Sequence, residues 1–322
     1  MKNLLRWMLR LIGPALLLFF LATSDLGELW RILITAELWP IVWSLLLLPP
    51  FLLIKSYRWL RLMREMGLGL PFSTACALYM VGIFYGSTTP GQAGDLLKAV
   101  YLRDRGQPMA PALLSVVLDR LCDLLVMATL ATLGIFALGR LLPSRELQTA
   151  LVILMALGLT VVTALIAARG PRDWMLTIVL PRFAPRLRVA LDRWNQQLAG
   201  LTLRPALIGE LAVLSLGSAF FTFLRLWLLF VALDLGRVPL LTVIGASALI
   251  AVLQVLPISI GGLGVREVVL VPVLAAYNYL PEQAITLSAL FLLINVEHIV
   301  VGFIVSFWFP LGSASEKPDL QV

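Results

Sequence analysis

Thr88-Thr89-Pro90-Gly91-Gln92-Ala93-Gly94-Asp95 and, further along, Leu256-Pro257-Ile258-Ser259-Ile260-Gly261-Gly262-Leu263-Gly264 decide how this chain is read. Each stretch ends an apolar helical segment, 73–88 in the first case and 240–257 in the second. Both segments are short, because crossing about 30 Å of hydrocarbon takes roughly 20 apolar residues. Proline removes a backbone donor and glycine tolerates left-handed backbone, so a regular helix is not expected to run through either stretch. A second, weakly apolar helical stretch follows each break, 95–104 and 265–279.

Around these two units lie longer apolar segments near 38–58, 111–138, 147–168, 206–233 and 284–309. The chain of 322 residues is 60% hydrophobic and only 13% charged, with mean hydropathy +0.96. A soluble chain would have about a quarter of its residues charged. The expected fold is an all-α polytopic membrane protein forming a single membrane domain over 1–322. Lys2, Arg6 and Arg10 before Leu11 to Ala22 could mark a signal peptide cleaved near Ala22 to Ser24, but a retained first span is preferred, with Trp7 at the interface. Leu26, Leu29, Trp30, Leu33 and Ile34 then recur at the spacing of a short helix on the membrane surface.

Basic residues orient the chain. With Lys2, Arg6 and Arg10 cytoplasmic, the acidic stretch holding Asp25, Glu28 and Glu37 lies outside. The segment 38–58 then returns to a basic cluster, Lys55, Arg58, Arg61 and Arg64, inside. If the unit 73–104 turns back instead of crossing, Lys98, Arg103 and Arg105 are inside too, and two further spans bring the loop 169–204 to the same side. That loop carries Arg169, Arg172, Arg182, Arg186, Arg188, Arg193 and Arg204 against Asp173 and Asp192. A crossing unit would put all these arginines outside, so re-entrant hairpins are expected at 73–104 and 240–279. The total is about six spans with both termini cytoplasmic. Phe183, Leu187, Leu191, Trp194, Leu198 and Leu201 share a face of the loop, which reads as a basic amphipathic linker on anionic inner-leaflet lipids, or else as a plain solvated connector.

The two units also mark an internal repeat, 38–138 and 206–309. Arg225, Pro239 and Pro257 follow Arg58, Pro71 and Pro90 at offsets of 167, 168 and 167 residues. Three spans separate Pro71 from Pro239, and an odd number inverts the second copy. Broken helices in corresponding positions of inverted repeats are the sequence pointer to a transporter's central site. Non-helical backbone at that depth survives only when buried in protein or lining a wet cavity.

A helix that starts in mid-membrane offers unpaired N–H groups and the positive end of its dipole. Pro90, Gly91 and Gly94, with Pro257, Gly261, Gly262 and Gly264, would let a phosphate or carboxylate reach that backbone. The same glycines suit close helix packing. Charged candidates accompany them: Asp95 and Lys98 after the first break, Arg266 and Glu267 after the second, Asp119, Arg120 and Asp123 within 111–138, and Arg225 within 206–233. Asn295, Glu297 and His298 lie within 284–309. Each charge at membrane depth costs about 2.5–3.5 kcal/mol on insertion scales, so these groups pair or serve a pathway. Arg120 with Asp123 and Arg225 with Glu267 are pairs open to local neutralisation.

Several chemistries are excluded. No Gly-x-x-x-x-Gly-Lys-[Ser/Thr] loop signals ATP, and Gly262-Leu263-Gly264 lacks the spacing of a dinucleotide fingerprint. Cys76, Cys122 and the one histidine, His298, make no metal set, so neither metal nor cofactor is expected. The net charge of +7 is set by membrane topology, not by a nucleic-acid partner.

Tyr57-Arg58-Trp59, Thr89-Pro90-Gly91 with Gly94-Asp95, Leu118-Asp119-Arg120-Leu121 and Pro257 through Gly261-Gly262-Leu263-Gly264-Val265-Arg266-Glu267 together resemble the lysylphosphatidylglycerol synthase/flippase transmembrane-domain family over nearly the whole chain. The resemblance implies a flippase of the bacterial or archaeal cytoplasmic membrane that moves a phospholipid or lipid-linked headgroup between leaflets. It implies headgroup contacts at Asp95, Asp119, Arg120, Arg266 and Glu267, with Arg58 in support. The sequence ends at Val322 without a soluble aminoacyl-transferase domain, so synthesis of an aminoacyl lipid is not expected of it. The other readings are a membrane enzyme on a lipid-linked substrate, with Asp95 or Glu267 as general base, and an accessory subunit of a synthase or glycosyltransferase.

Overall fold

A computed structural model describes residues 26–137, 204–255, 262 and 264–309, with some positions between 145 and 182. The expected first span at 11–22, most of the 147–168 span, the basic linker face at 183–201, and Pro257 and Gly261 lie outside the described residues. Among the described residues every regular element is helical. In order these are α1 (Leu26–Thr35), α2 (Leu38–Leu46), α3 (Leu48–Glu65), α4 (Phe72–Thr88), a 3-10 segment (Pro90–Leu96), α5 (Leu97–Asp104), α6 (Met109–Ala137), α7 (Pro205–Ala232), α8 (Leu240–Leu253), α9 (Val265–Ala275) and α10 (Pro281–Trp308).

Among the described residues three helices are long and apolar enough to cross a bilayer: α2 with α3 as one unit over Leu38–Glu65, α7 over Ala206–Ala232, and α10. Helix α6 is as long, 29 residues, but carries Asp119, Arg120 and Asp123 in its middle. Large apolar side chains stand on the outside of the bundle, among them Trp39, Trp43, Val213, Phe220 and Phe307. Water would not tolerate an apolar surface of that extent, whereas lipid demands it. Helix α3 continues to Glu65, seven residues past the expected end of its span. Helix α1 packs Ile32 onto the core around α7 to α10 and leaves Trp30, Leu33 and Ile34 exposed.

Prolines and left-handed caps set the boundaries. Pro71 and Pro239 precede α4 and α8 with the same extended backbone, φ −60° in both. Pro205 and Pro281 occupy first helical turns, where the missing N–H costs nothing. Helix α3 ends on Gly67 at φ +72°, with the Leu68 N–H bonded back to the Met63 carbonyl at 2.9 Å. Helix α7 ends the same way on Asp234 at φ +52°, with Leu235 bonded back to Phe230 at 3.0 Å. Asp234 lies 167 positions beyond Gly67, the offset of the proline landmarks.

The described helices form two runs, α3 to α6 and α7 to α10, each with a buried apolar cluster. One is built on α3, α4, α5 and the start of α6, around Trp59, Leu78, Tyr79 and Leu102. The other is built on α7 to α10, around Phe230, Leu270, Leu274 and Phe291. The runs then exchange partners: α4 packs mainly on α10, and α8 packs mainly on α6. The second contact is the tighter one. Gly134 on α6 and Gly245 on α8 meet backbone to backbone, and a Cβ on either would overlap the other's Cα. Gly245→Leu is therefore expected to lower stability by about 1–3 kcal/mol, read as a lower melting temperature in detergent. Gly209→Leu on the exposed face of α7, where a Cβ meets nothing within 4 Å, should leave the melting temperature nearly unchanged.

Candidate functional site

Direct packing of α3 and α5 on α6 brings the charged residues of these helices, with Asp95 of the 3-10 segment, into one buried network. Arg58 is fully buried and donates to Asp119 Oδ1 at 2.8 Å, to Asp123 Oδ1 at 2.8 Å and to Ser215 Oγ at 2.9 Å. Tyr79 donates its hydroxyl to the other Asp119 oxygen at 3.0 Å. Lys55, one turn before Arg58, pairs with Asp123 Oδ2 at 2.7 Å. Lys98 lies 2.9 Å from Asp95 and 3.7 Å from Asp119, its ammonium 4.1 Å above the Tyr79 ring and 4.9 Å above the Trp59 ring. Gly82 on α4 makes room for it, since a Cβ there would meet the lysine stem at 2.6 Å. Arg120 closes the network, donating Nε to Asp95 Oδ2 at 2.7 Å and Nη1 to Gln92 Oε1 at 3.0 Å.

The first break is shaped by two successive left-handed residues, Gly91 at φ +62° and Gln92 at φ +56°. That conformation is open to glycine and uncommon for glutamine. Thr89 then accepts the Gly94 N–H on its hydroxyl at 2.7 Å, which ties the segment after the break back to the end of α4. Gly94 follows the packing alternative, because a Cβ there would overlap the Tyr85 carbonyl. Pro90 opens the 3-10 segment.

In the second run, Arg225 on α7 pairs with Glu297 and places Nη1 3.1 Å from His298 Nε2, both on α10. Its Nε donates to the Ser44 carbonyl at 2.7 Å. Arg266 and Glu267 are buried on α9 beneath α10, where Ser288 joins them: its carbonyl accepts from Arg266 at 3.3 Å and its hydroxyl donates to Glu267 at 2.6 Å. Gly264 caps α9 at φ +80°. Gly262 is covered by the Gln254 amide and lies near the Arg266 guanidinium.

Three adjoining cavities lie between the runs. A polar one of about 540 Å³ is lined by Lys55, Arg120, Gln92, Ser87, Asn295 and His298, together with the Tyr79 and Phe51 rings. A mainly apolar one of about 650 Å³ is bordered by Phe223, Leu226, Ile250 and Phe291, with Arg225 and Arg266 as its charges. Phe51, Asn295 and His298 belong to both walls. A smaller cavity of about 320 Å³ has Gly91 and Gln92 from the first break and Gly262 from the second among its lining residues, with Gln254 and Asn295.

The sequence matches the family described as the lysylphosphatidylglycerol synthase TM region over residues 7–302, nearly the whole chain. The chain belongs to that family. Membership places it among membrane proteins of lipid and cell-envelope chemistry. No curated protein matches it.

Within this family member the sequence candidates divide into two sets. Gly91, Gly262, Arg120, Arg225 and Arg266 border the cavities. Arg58, Asp95, Lys98, Asp119 and Glu267 are buried behind them and line none of the three. Neither pair open to local neutralisation forms: Asp123 faces Lys55 and Arg58 across the helices, and Arg225 takes Glu297 in place of Glu267. Lys55 and Arg58 of the basic cluster belong to the interior of the bundle, because α3 carries on past them and the acids of α6 turn them inward. Gln92 and Gln254 were not singled out by any spacing.

Breaking a buried pair by removing one partner leaves a bare charge and costs about 3–5 kcal/mol. Arg58→Met should lower the melting temperature in detergent by that measure. Adding Asp119→Leu should recover part of the loss, and a double variant no more stable than the single one would show that the pair does not hold the network.

Proposed function

We propose that this protein is a lipid translocase, carrying an anionic or phosphate-containing lipid, whether aminoacyl-, glyco- or polyprenyl-linked, between leaflets. The observation that carries the reading is the polar cavity sharing Phe51, Asn295 and His298 with an apolar one. An amphiphile needs such a pairing: a charged headgroup beside a wall that tolerates hydrocarbon. Ionisable groups at membrane depth are rare and mark substrate pathways, and here arginines border both cavities and a lysine the polar one.

In this reading the units 73–104 and 240–279 are re-entrant hairpins entering from opposite faces. The chain makes about six crossings in two inverted copies, with both termini on the cytoplasmic side of a bacterial or archaeal inner membrane. The shared proline backbone at Pro71 and Pro239 and the reciprocal exchange of α4 and α8 support it. The protein transports and does not catalyse: movement follows a lipid gradient or a coupled proton, and a separate synthase or glycosyltransferase makes the cargo.

Purified protein in liposomes should move headgroup-labelled anionic lipid to the opposite leaflet faster than protein-free vesicles do. Equal rates would overturn the proposal. Cysteines placed at Gln107 and at Arg186 should react with an impermeant reagent from the same side of the membrane; labelling from opposite sides would mean that the 73–104 unit crosses.

A further inference from the structure

The network behind the polar cavity is unequal in charge. Lys55, Arg58, Lys98 and Arg120 are its cations. Asp95, Asp119 and Asp123 are its carboxylates, shared among those four. The other buried groups cancel in pairs, Arg225 with Glu297 and Arg266 beside Glu267. His298 adds no charge, because a guanidinium can only donate, so the Nε2 that faces Arg225 carries no proton. Among the described residues the interior therefore holds one cation more than it has carboxylates. An uncompensated charge in a low-dielectric interior is costly, so a missing negative charge is a demand for a ligand.

The demand is directed. Of the four cations, Lys55 and Arg120 line the polar cavity and no carboxylate does. Their acids, Asp123 and Asp95, hold them from outside that lining. Lys55 spends one of its donors on Asp123, and Arg120 spends Nε and one Nη1 hydrogen, which leaves Nη2 with no partner among the described residues. The rest of the polar wall, Gln92, Ser87 and Asn295, is neutral and can hydrogen-bond but not charge-match. The walls around Arg225 and Arg266 have no such surplus.

Resting on the translocase reading, we propose that the cavity between Lys55 and Arg120 binds a group of one negative charge, a phosphodiester with an otherwise uncharged head, and discriminates against both net-neutral and doubly charged headgroups. Lys55 and Arg120 are the selecting residues, and Asp123 sets the charge count they present. The helix start at the first break is secondary, since Thr89 already occupies the Gly94 N–H.

Binding to the purified full chain in detergent tests this apart from transport. The probes are short-chain phosphatidylglycerol, phosphatidylcholine and, at alkaline pH, phosphatidic acid, whose phosphomonoester then carries close to two charges. Tail-less glycerophosphoglycerol tells a lipid ligand from a free anion. Phosphatidylglycerol should bind about tenfold or more tighter than the other two lipids. Lys55→Gln should abolish that preference and Lys55→Arg should keep it. Asp123→Asn, which raises the surplus by one, should move the preference to phosphatidic acid. Melting curves of each variant without lipid show that it is folded, and the charge-conserving Lys55→Arg covers the case in which Lys55→Gln is not. Binding indifferent to headgroup charge, or unmoved by Asp123→Asn, overturns the inference even if liposomes show transport. Charge-selective binding without transport upholds it and removes the translocase reading. Equally tight binding of the tail-less diester keeps the charge selection and makes the ligand a soluble anion.

Discussion

Charge neutralisation at membrane depth is the constraint on which the rest of the molecule depends. Arg58 cannot stay inside a bundle of apolar helices unless carboxylates reach it, and Asp119 and Asp123 do so from α6. That requirement fixes the rotation of α6 against α3. Helix α6 in turn carries Arg120, which needs Asp95 from the segment after the first break. The broken unit is thereby bound to the span beside it by ion pairs, while the packing of Gly94 against Tyr85 closes the unit on itself. Coulomb attraction is strong in such surroundings and desolvation is expensive, so the net gain is specificity of arrangement more than stability.

Much of the architecture is legible in the sequence, and the reasons are local. Proline and glycine act on their own backbone, so the ends of α4, α8 and α10 follow from Pro71, Pro239 and Pro281 with no knowledge of neighbours. Of the landmarks, Pro71 and Pro239 share the same backbone in the structure, and left-handed caps at Gly67 and Asp234 precede them. Family membership follows from the motifs around those breaks, and the profile of the family spans 7–302.

The site itself was less legible, because its determinants are not local. Lys55 and Asp123 are 68 residues apart and Arg225 and Glu297 are 72 apart. Helical spacing offers closer partners on the same helix, such as Arg120 with Asp123, but those side chains are pulled to facing helices instead. Counting basic residues by loop groups Lys55 and Arg58 with Arg61 and Arg64 at the end of the 38–58 run, whereas the acids of α6 hold both within the bundle. Gln92 and Gln254 carry no charge and belong to no motif, and only the meeting of the two breaks at one cavity gives them a place.

The reciprocal exchange of α4 and α8 has a consequence for biogenesis. Helix α4 leaves the ribosome long before its main partner α10, which begins about 200 residues later. At about 5–20 residues per second of synthesis, the first half waits for ten seconds or more with one face of α4 turned to lipid, or to whatever insertase attends it. Neither half is a complete folding unit, so a chain stopped between the copies would lack the far side of both of its central helices.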